Sequence, residues 1–195
     1  MYDDFDGGHN RRHCLLVRKM AVLLAKKYLP EKVELAFIAA TLHDIGLSVD
    51  RENHEVEGEK LIRQDKYLKD NLSSKDFEEL CHAVKEHRAS TGNPQTILAK
   101  IISDSDRGGG SFNTPEAFFR SYNVVLKNYP DPDENINILN TAKHLSEKFC
   151  QGGCGRRTYF PETEIIVKKI YDPIMNAYKK QDLNYLKSLI KSLVK

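Results

Sequence analysis

The chain has 195 residues, a formal net charge of +2, 40% hydrophobic residues and 30% charged ones. That balance excludes a disordered chain, and the length suits one domain able to bury roughly 70% of its unfolded surface without disulfides or a structural metal. The near-neutral charge speaks against a dedicated nucleic-acid binder, and no apolar run reaches the ~20 residues of a membrane helix.

The opening MYDDFDGGHNRRH is polar and unlike a secretory signal, so a cytoplasmic protein is the expectation. Residues 11–29 place Val17, Met20, Ala21, Leu24 and Tyr28 at the i, i+3, i+4 spacing of a core-facing helix. Pro30 ends that run, and residues 31–45, rich in Ala and Leu, predict a second helix with Gly46 as its C-terminal cap. Residues 47–54 read as a loop. Amphipathic helices follow over 55–69 and 74–88, the second capped by Ser73 or Ser74. A helix over 95–106 is expected to break at the glycine run 108–110, and Thr114-Pro115 opens another over 115–128. Further helices are expected over 133–149, 162–179 and 182–194. Residues 150–160 form a glycine-rich loop, either an ordered crossover or a mobile lid. No segment shows strand alternation. The expected fold is therefore all-α: a single domain over 1–195, with a core at about 8–110 and the helices of 111–195 packed on it.

Cys14 and Cys81 fall in apolar helical stretches and read as small hydrophobes, while Cys150 and Cys154 make at best half a zinc site. The lysines beyond Thr163 read as a solvated helix face.

The chain has seven histidines, and their places on the helices matter more than their number. His13 lies one turn before Val17, on the buried face of the first helix. His43 and Asp44 end a helix whose other residues are apolar. A carboxylate beside an imidazole in such surroundings needs a compensating charge, which a divalent cation would supply. His87 continues the stripe of Phe77, Leu80, Cys81 and Val84, and His82 lies about 140° away round the same helix. Asp106 extends the Leu98–Ile102 stripe, an unusual place for an acid. Asp104 extends the neighbouring Ile97–Ile101 edge and competes with it. Each residue alone reads as a satisfied core histidine or a helix cap, but the pattern repeats from helix to helix. Imidazole with carboxylate suits Mn, Fe, Co, Ni or Zn, and Mg less readily. His13, His43, Asp44 and Asp106 would give one ion two nitrogens and two carboxylates, leaving positions for water or substrate.

The order H…HD…H…H…D resembles the HD superfamily of metal-dependent phosphohydrolases. GHNRRHCLLV at 8–17 is similar to that family's opening motif, and LHDIG at 42–46 to its HD pair with the glycine that follows. HEVEG at 54–58 and HAVKEHR at 82–88 resemble its next two His motifs. AKIISDSDR at 99–107 resembles its terminal Asp-Ala-Asp-Arg segment, whose second acid is the ligand, and this alignment selects Asp106 over Asp104. The resemblance covers about 8–110. It implies a helical bundle with the site at its centre, one divalent ion or two, and hydrolysis of a phosphate ester or anhydride of a nucleotide or another small phosphorylated metabolite.

His54 and His87 would then hold a second ion, or meet the phosphate and relay protons, the latter being preferred. Arg88, Arg107 and Lys60 are candidate phosphate contacts. Glu55, Glu57 and Glu86 are candidate general bases, and Arg156 and Arg157 could close over a substrate. There are departures from the pattern. Leu16 stands where many relatives carry Arg, and GGG at 108–110 replaces the acidic and leucine residues that often follow Asp-Arg. Leu47 replaces the Lys of relatives that cleave cyclic dinucleotides, and their GYP motif is missing, which disfavours that activity. Two alternatives stay open: a non-catalytic nucleotide- or metal-binding regulatory module, and a di-iron oxygenase. The expected partner is a small phosphorylated substrate and not a membrane, and a homodimer is left open.

Overall fold

A computed structural model of the chain describes residues 9–109, 111 and 113–192. Among these residues every regular element is helical, as the sequence predicts. The first glycine of the opening motif, Gly8, the last of the glycine run, Gly110, and positions 193–194 of the expected last helix lie outside the described residues.

Helix α1, Arg11–Tyr28, begins at Asn10, whose side chain accepts a hydrogen bond from the His13 backbone N–H at 3.1 Å. Helix α2, Val33–Leu42, is apolar all round and is packed by α1 and two later helices. The expected helix 31–45 is therefore shorter. Pro30–Lys32 is a 3-10 turn, His43 is the C-cap, and Ile45–Ser48 forms a second 3-10 turn.

Gly46 is not the cap predicted for it. It sits in that 3-10 turn against helix α3, His54–Gln64. A Cβ on Gly46 would come within 2.0 Å of the His54 carbonyl oxygen and 2.5 Å of the Gly58 N. Only a residue without a side chain lets the HD turn approach α3 this closely.

The single helix expected over 55–69 is split. Asp65 adopts an extended backbone and accepts from the Leu68 N–H at 3.0 Å, so it caps a new helix, α4, Lys66–Asn71. Helix α5, Ser74–Lys85, is capped by Ser73 and stops before Arg88. Helix α6, Ile97–Gly109, runs through Gly108 and Gly109 rather than breaking before them. Cβ atoms there would meet Thr163 Cγ2 at 2.9 Å and Met20 Cβ at 2.8 Å, so these glycines let α6 lie close to its neighbours.

Helices α7 (Thr114–Asn128), α8 (Glu134–Phe149) and α9 (Pro161–Lys179) follow their expected spans to within a residue, and α10 covers Leu183–Lys191. The 150–160 segment is an ordered crossover. Arg156 donates to the Phe149 carbonyl oxygen and pairs with Asp172, and Arg157 donates to the carbonyls of Ala89 and Gly92 at 3.0 and 2.6 Å. These guanidiniums fasten the crossover and are not free to close over a substrate.

The apolar residues form two clusters. One joins α1, α2, α3, α5 and α6, and the other joins α7 to α10, with Ile166 of α9 packed against both. Cys14 and Cys81 are buried free thiols, as expected, and Cys150 and Cys154 are also free.

Candidate metal centre

Helices α1, α3 and α6, the C-cap of α2 with the turn after it, and the segment just beyond α5 deliver side chains to one point. His13, His43, Asp44 and His87 are no more than 2% exposed, and His54 is 8% exposed. Around Asp44 they fall into two groups, His13 with His43 and Asp106, and His54 with His87.

The Asp44 carboxylate stands between the groups. Its Oδ2 lies 3.1 Å from His43 Nε2 and 3.5 Å from His13 Nε2. Its Oδ1 lies 3.6 Å from His87 Nε2 and 3.7 Å from His54 Nε2. Asp106 Oδ1 is 3.2 Å from His13 Nε2, and the His13 and His43 Nε2 atoms are 3.3 Å apart.

The backbone fixes which nitrogen faces inward. His43 Nδ1–H donates to the Ala40 carbonyl at 2.9 Å, His54 Nδ1–H to Arg51 at 3.1 Å, and His87 Nδ1–H to Val84 at 2.6 Å. A neutral ring held this way presents the Nε2 lone pair to the carboxylates. Lone pairs facing carboxylate oxygens in a buried site repel unless a cation lies between them, and Asp44 Oδ2 is buried without a hydrogen bond. The donor set therefore fits a divalent cation on each side of Asp44.

Charge preferences agree. Burial opposes protonation of His43, but the Asp44 carboxylate outweighs it and raises this imidazole to about 9. A proton there does for Asp44 what a cation would do. Burial likewise favours a neutral Asp44, yet the His43 imidazolium and the neighbouring His9 hold it well below the usual carboxylate range. His13 goes the other way. Burial, reinforced by Arg120, outweighs its hydrogen bond to Asp106 and lowers it to about 4.

His13 is the exception in orientation as well. Arg120 Nη1 donates to His13 Nδ1 at 2.7 Å, which leaves the ring proton of the neutral form on Nε2. Ligation through Nε2 needs that proton on Nδ1, so ligation and the Arg120 hydrogen bond exclude each other in a neutral ring.

Asp104 lies apart from this group. Its carboxylate accepts from the Tyr159 and Phe160 N–H groups, each at 2.9 Å to Oδ2, and its Oδ1 meets Arg107 Nη1 at 3.2 Å. It ties the end of the crossover to α6.

Of the candidate phosphate contacts, Arg88 and Arg107 line the cavity that opens from the centre, but Lys60 does not. Lys60 is exposed and pairs with Glu57 at 2.7 Å on its own helix. Arg88 is held by Glu55 at 3.1 Å and by the Glu52 carbonyl oxygen. Among the candidate bases, Glu55 alone is close, 3.5 Å from His54 Nδ1, and it is engaged with Arg88 and Thr91. Glu57 holds Lys60, and Glu86 accepts from the Asn93 N–H at 2.6 Å.

Two side chains at the site were not singled out from sequence. His9 lies 5.8 Å from His13 and 6.4 Å from His54, ring centre to ring centre, and sits inside the opening motif. Arg120 lies on α7, outside every motif, and nothing in its sequence context marks it.

Comparison with known proteins bears on the same segment. Residues 11–107 match the HD domain family. Over 97 residues the chain is 35% identical to Ribonuclease Y of Lawsonia intracellularis (strain PHE/MN1-00), a match that covers 49% of this chain and 17% of that protein. No solved structure gives a significant match. The matched segment supplies Asp44 and all five side chains gathered around it, and residues 11–107 belong to the HD domain family.

Proposed function

We propose that this chain is a metal-dependent phosphohydrolase that cleaves a phosphate ester or anhydride of a small phosphorylated metabolite, a nucleotide being the leading candidate. The observation that carries this reading is the buried Asp44 carboxylate, with imidazole Nε2 atoms facing it from both sides, His43 at 3.1 Å and His87 at 3.6 Å. A divalent cation bound here supplies positive charge to the phosphoryl oxygens and acidifies water. In this reading His13, His43, Asp44 and Asp106 hold one ion, and Asp44 with His54 and His87 holds a second. That assignment replaces the proton-relay role for His54 and His87, because their Nδ1 atoms are already committed to carbonyl oxygens.

The rest of the chain positions the substrate. Arg88, braced by Glu55, and Arg107, braced by Asp104, stand at the cavity wall, where a guanidinium can meet phosphate through two N–H groups. None of the three glutamates is free to act as base, so proton removal from water falls to the centre itself.

The test is to measure metal content and screen hydrolysis of mononucleotides, generic phosphate esters, anhydrides and short RNA. The reading predicts turnover of at least one small phosphate compound that disappears on chelation and returns with Mn, Co, Ni or Mg. Cleavage of RNA alone would favour the activity for which the Lawsonia relative is named. Tight nucleotide binding without product would favour a regulatory module. Iron pairs with visible absorbance and no hydrolysis would favour an oxygenase.

A further inference from the structure

The cavity beside the centre has a second wall, formed by α7 and α8 outside the matched segment. The cavity encloses about 810 Å³, several times the space of one phosphoryl group. Asn140, His144 and Lys148 recur every four residues along α8 and line it, while Ile138, Ala142 and Leu145 of the same helix face the core. Five guanidinium or ammonium groups line the cavity, against three carboxylates, Asp44, Asp106 and Glu147. Two of those acids belong to the metal centre, and the third is 66% exposed beside Lys143.

Two of the cations are left poorly neutralised. Lys148 makes no ion pair or hydrogen bond with any described residue; its ammonium lies 5.6 Å from the Phe149 ring centre. Arg107 is 3% exposed, and its Nε and Nη2 are buried with no hydrogen-bond partner. Unpaired buried N–H groups on a charged side chain are costly, and a fixed anion would satisfy them. Arg120 lines the same cavity, with its Nη1 on His13 Nδ1.

We propose that Arg107, Arg120 and Lys148 form a second anion subsite, which holds a phosphate of the substrate other than the one being hydrolysed. The preferred substrate then carries two phosphate groups, joined as an anhydride or placed at separate positions. This inference rests on the phosphohydrolase reading, because it takes the first phosphate to lie at the metal centre. Two arginines and one lysine suit a dianionic phosphate, and the open α8 stripe leaves room for the organic part of the ligand.

The test is calorimetric titration of the full chain as purified, with its metal content measured and unbound metal removed. The probes are inorganic phosphate, inorganic pyrophosphate and a nucleoside 3′,5′-bisphosphate. One of the two-phosphate probes should bind at least about 10-fold more tightly than phosphate, and which one does so gives the spacing of the two groups. Lys148→Ala should remove most of that margin while phosphate binding changes by no more than about twofold, with Tm and metal content unchanged. If Lys148→Ala unfolds, Lys148→Met, which keeps the stem over Phe149, takes its place. Equal affinity for all three probes, or a margin that survives loss of the Lys148 charge, overturns the subsite. Binding is read without turnover, so a chain that hydrolyses nothing still reports on the subsite. Hydrolysis of monophosphates with an unaffected Lys148 variant would remove the subsite and leave the function standing.

Discussion

The two walls of the cavity hold their polar groups in opposite ways. On the wall built by α2, α3 and α5, His43, His54 and His87 each commit one ring nitrogen to a backbone carbonyl and point the other inward. On the wall built by α7 and α8, Lys148 makes no such commitment and Arg120 touches His13 through one N–H. The first wall is buried and its tautomers are set by the helices, which is what positioning a cation to within a fraction of an ångström requires. The second carries long cations, Arg120 and Lys148, at the cavity wall. The metal-ligand candidates thus sit where the backbone dictates geometry, and the proposed anion subsite where long side chains reach into the cavity.

Substitution of Asp44 should break the first wall most completely. Asp44→Asn should lower metal affinity more than the roughly 10–100-fold expected for a group outside the ligand set, with hydrolysis lost alongside. Metal analysis after gel filtration reads this directly, and full retention of metal would sever Asp44 from the centre.

Next in size is Gly46→Ala. Its Cβ would press on the His54 carbonyl and the Gly58 amide, so it should destabilise the fold by at least about 3 kcal/mol in denaturant unfolding, at or above the usual overpacking range. A small effect would mean that the HD turn can move away from α3.

Asp104→Asn and Asp106→Asn should then separate structure from site on one helix. The Asp104 variant weakens the bonds to Tyr159, Phe160 and Arg107 and should lose about 1–3 kcal/mol of stability while keeping metal. The Asp106 variant should keep most of its stability and lose metal. A reversed pattern would reassign the ligand.

The smallest effect is expected at Lys60. Lys60→Ala removes only an exposed pair with Glu57 and should change stability by less than about 1 kcal/mol and leave substrate affinity alone. A marked rise in KM would bring Lys60 back to the site.

The helices were legible because apolar periodicity is a local property. Residues 11–28, 114–128 and 134–149 needed little beyond their own stripes and caps. Errors fell where a distant contact or a single side chain overrode the pattern. Asp65 split a helix by capping its own downstream turn, and Gly108 and Gly109 stayed helical because α6 packs closely at that end. Sequence spacing also singled out His13, His43, Asp44, His87 and Asp106, since an acid or imidazole continuing a buried stripe stands out against its neighbours, whereas His54 and the choice of Asp106 over Asp104 came from the family resemblance.

What the amino-acid order determined by itself is an all-helical chain with His13, His43, Asp44, His87 and Asp106 at the polar ends of apolar faces, and His54 in a motif that resembles the family's. Only the tertiary structure decided that Asp44 stands between two groups, that Asp104 anchors the crossover, and that Lys60 points elsewhere. It alone brought Arg120 and Lys148 to the same cavity. The reason is physical: burial of a helix face leaves a periodic trace in the chain. The meeting of faces from distant helices, and the reach of long charged side chains, leave none.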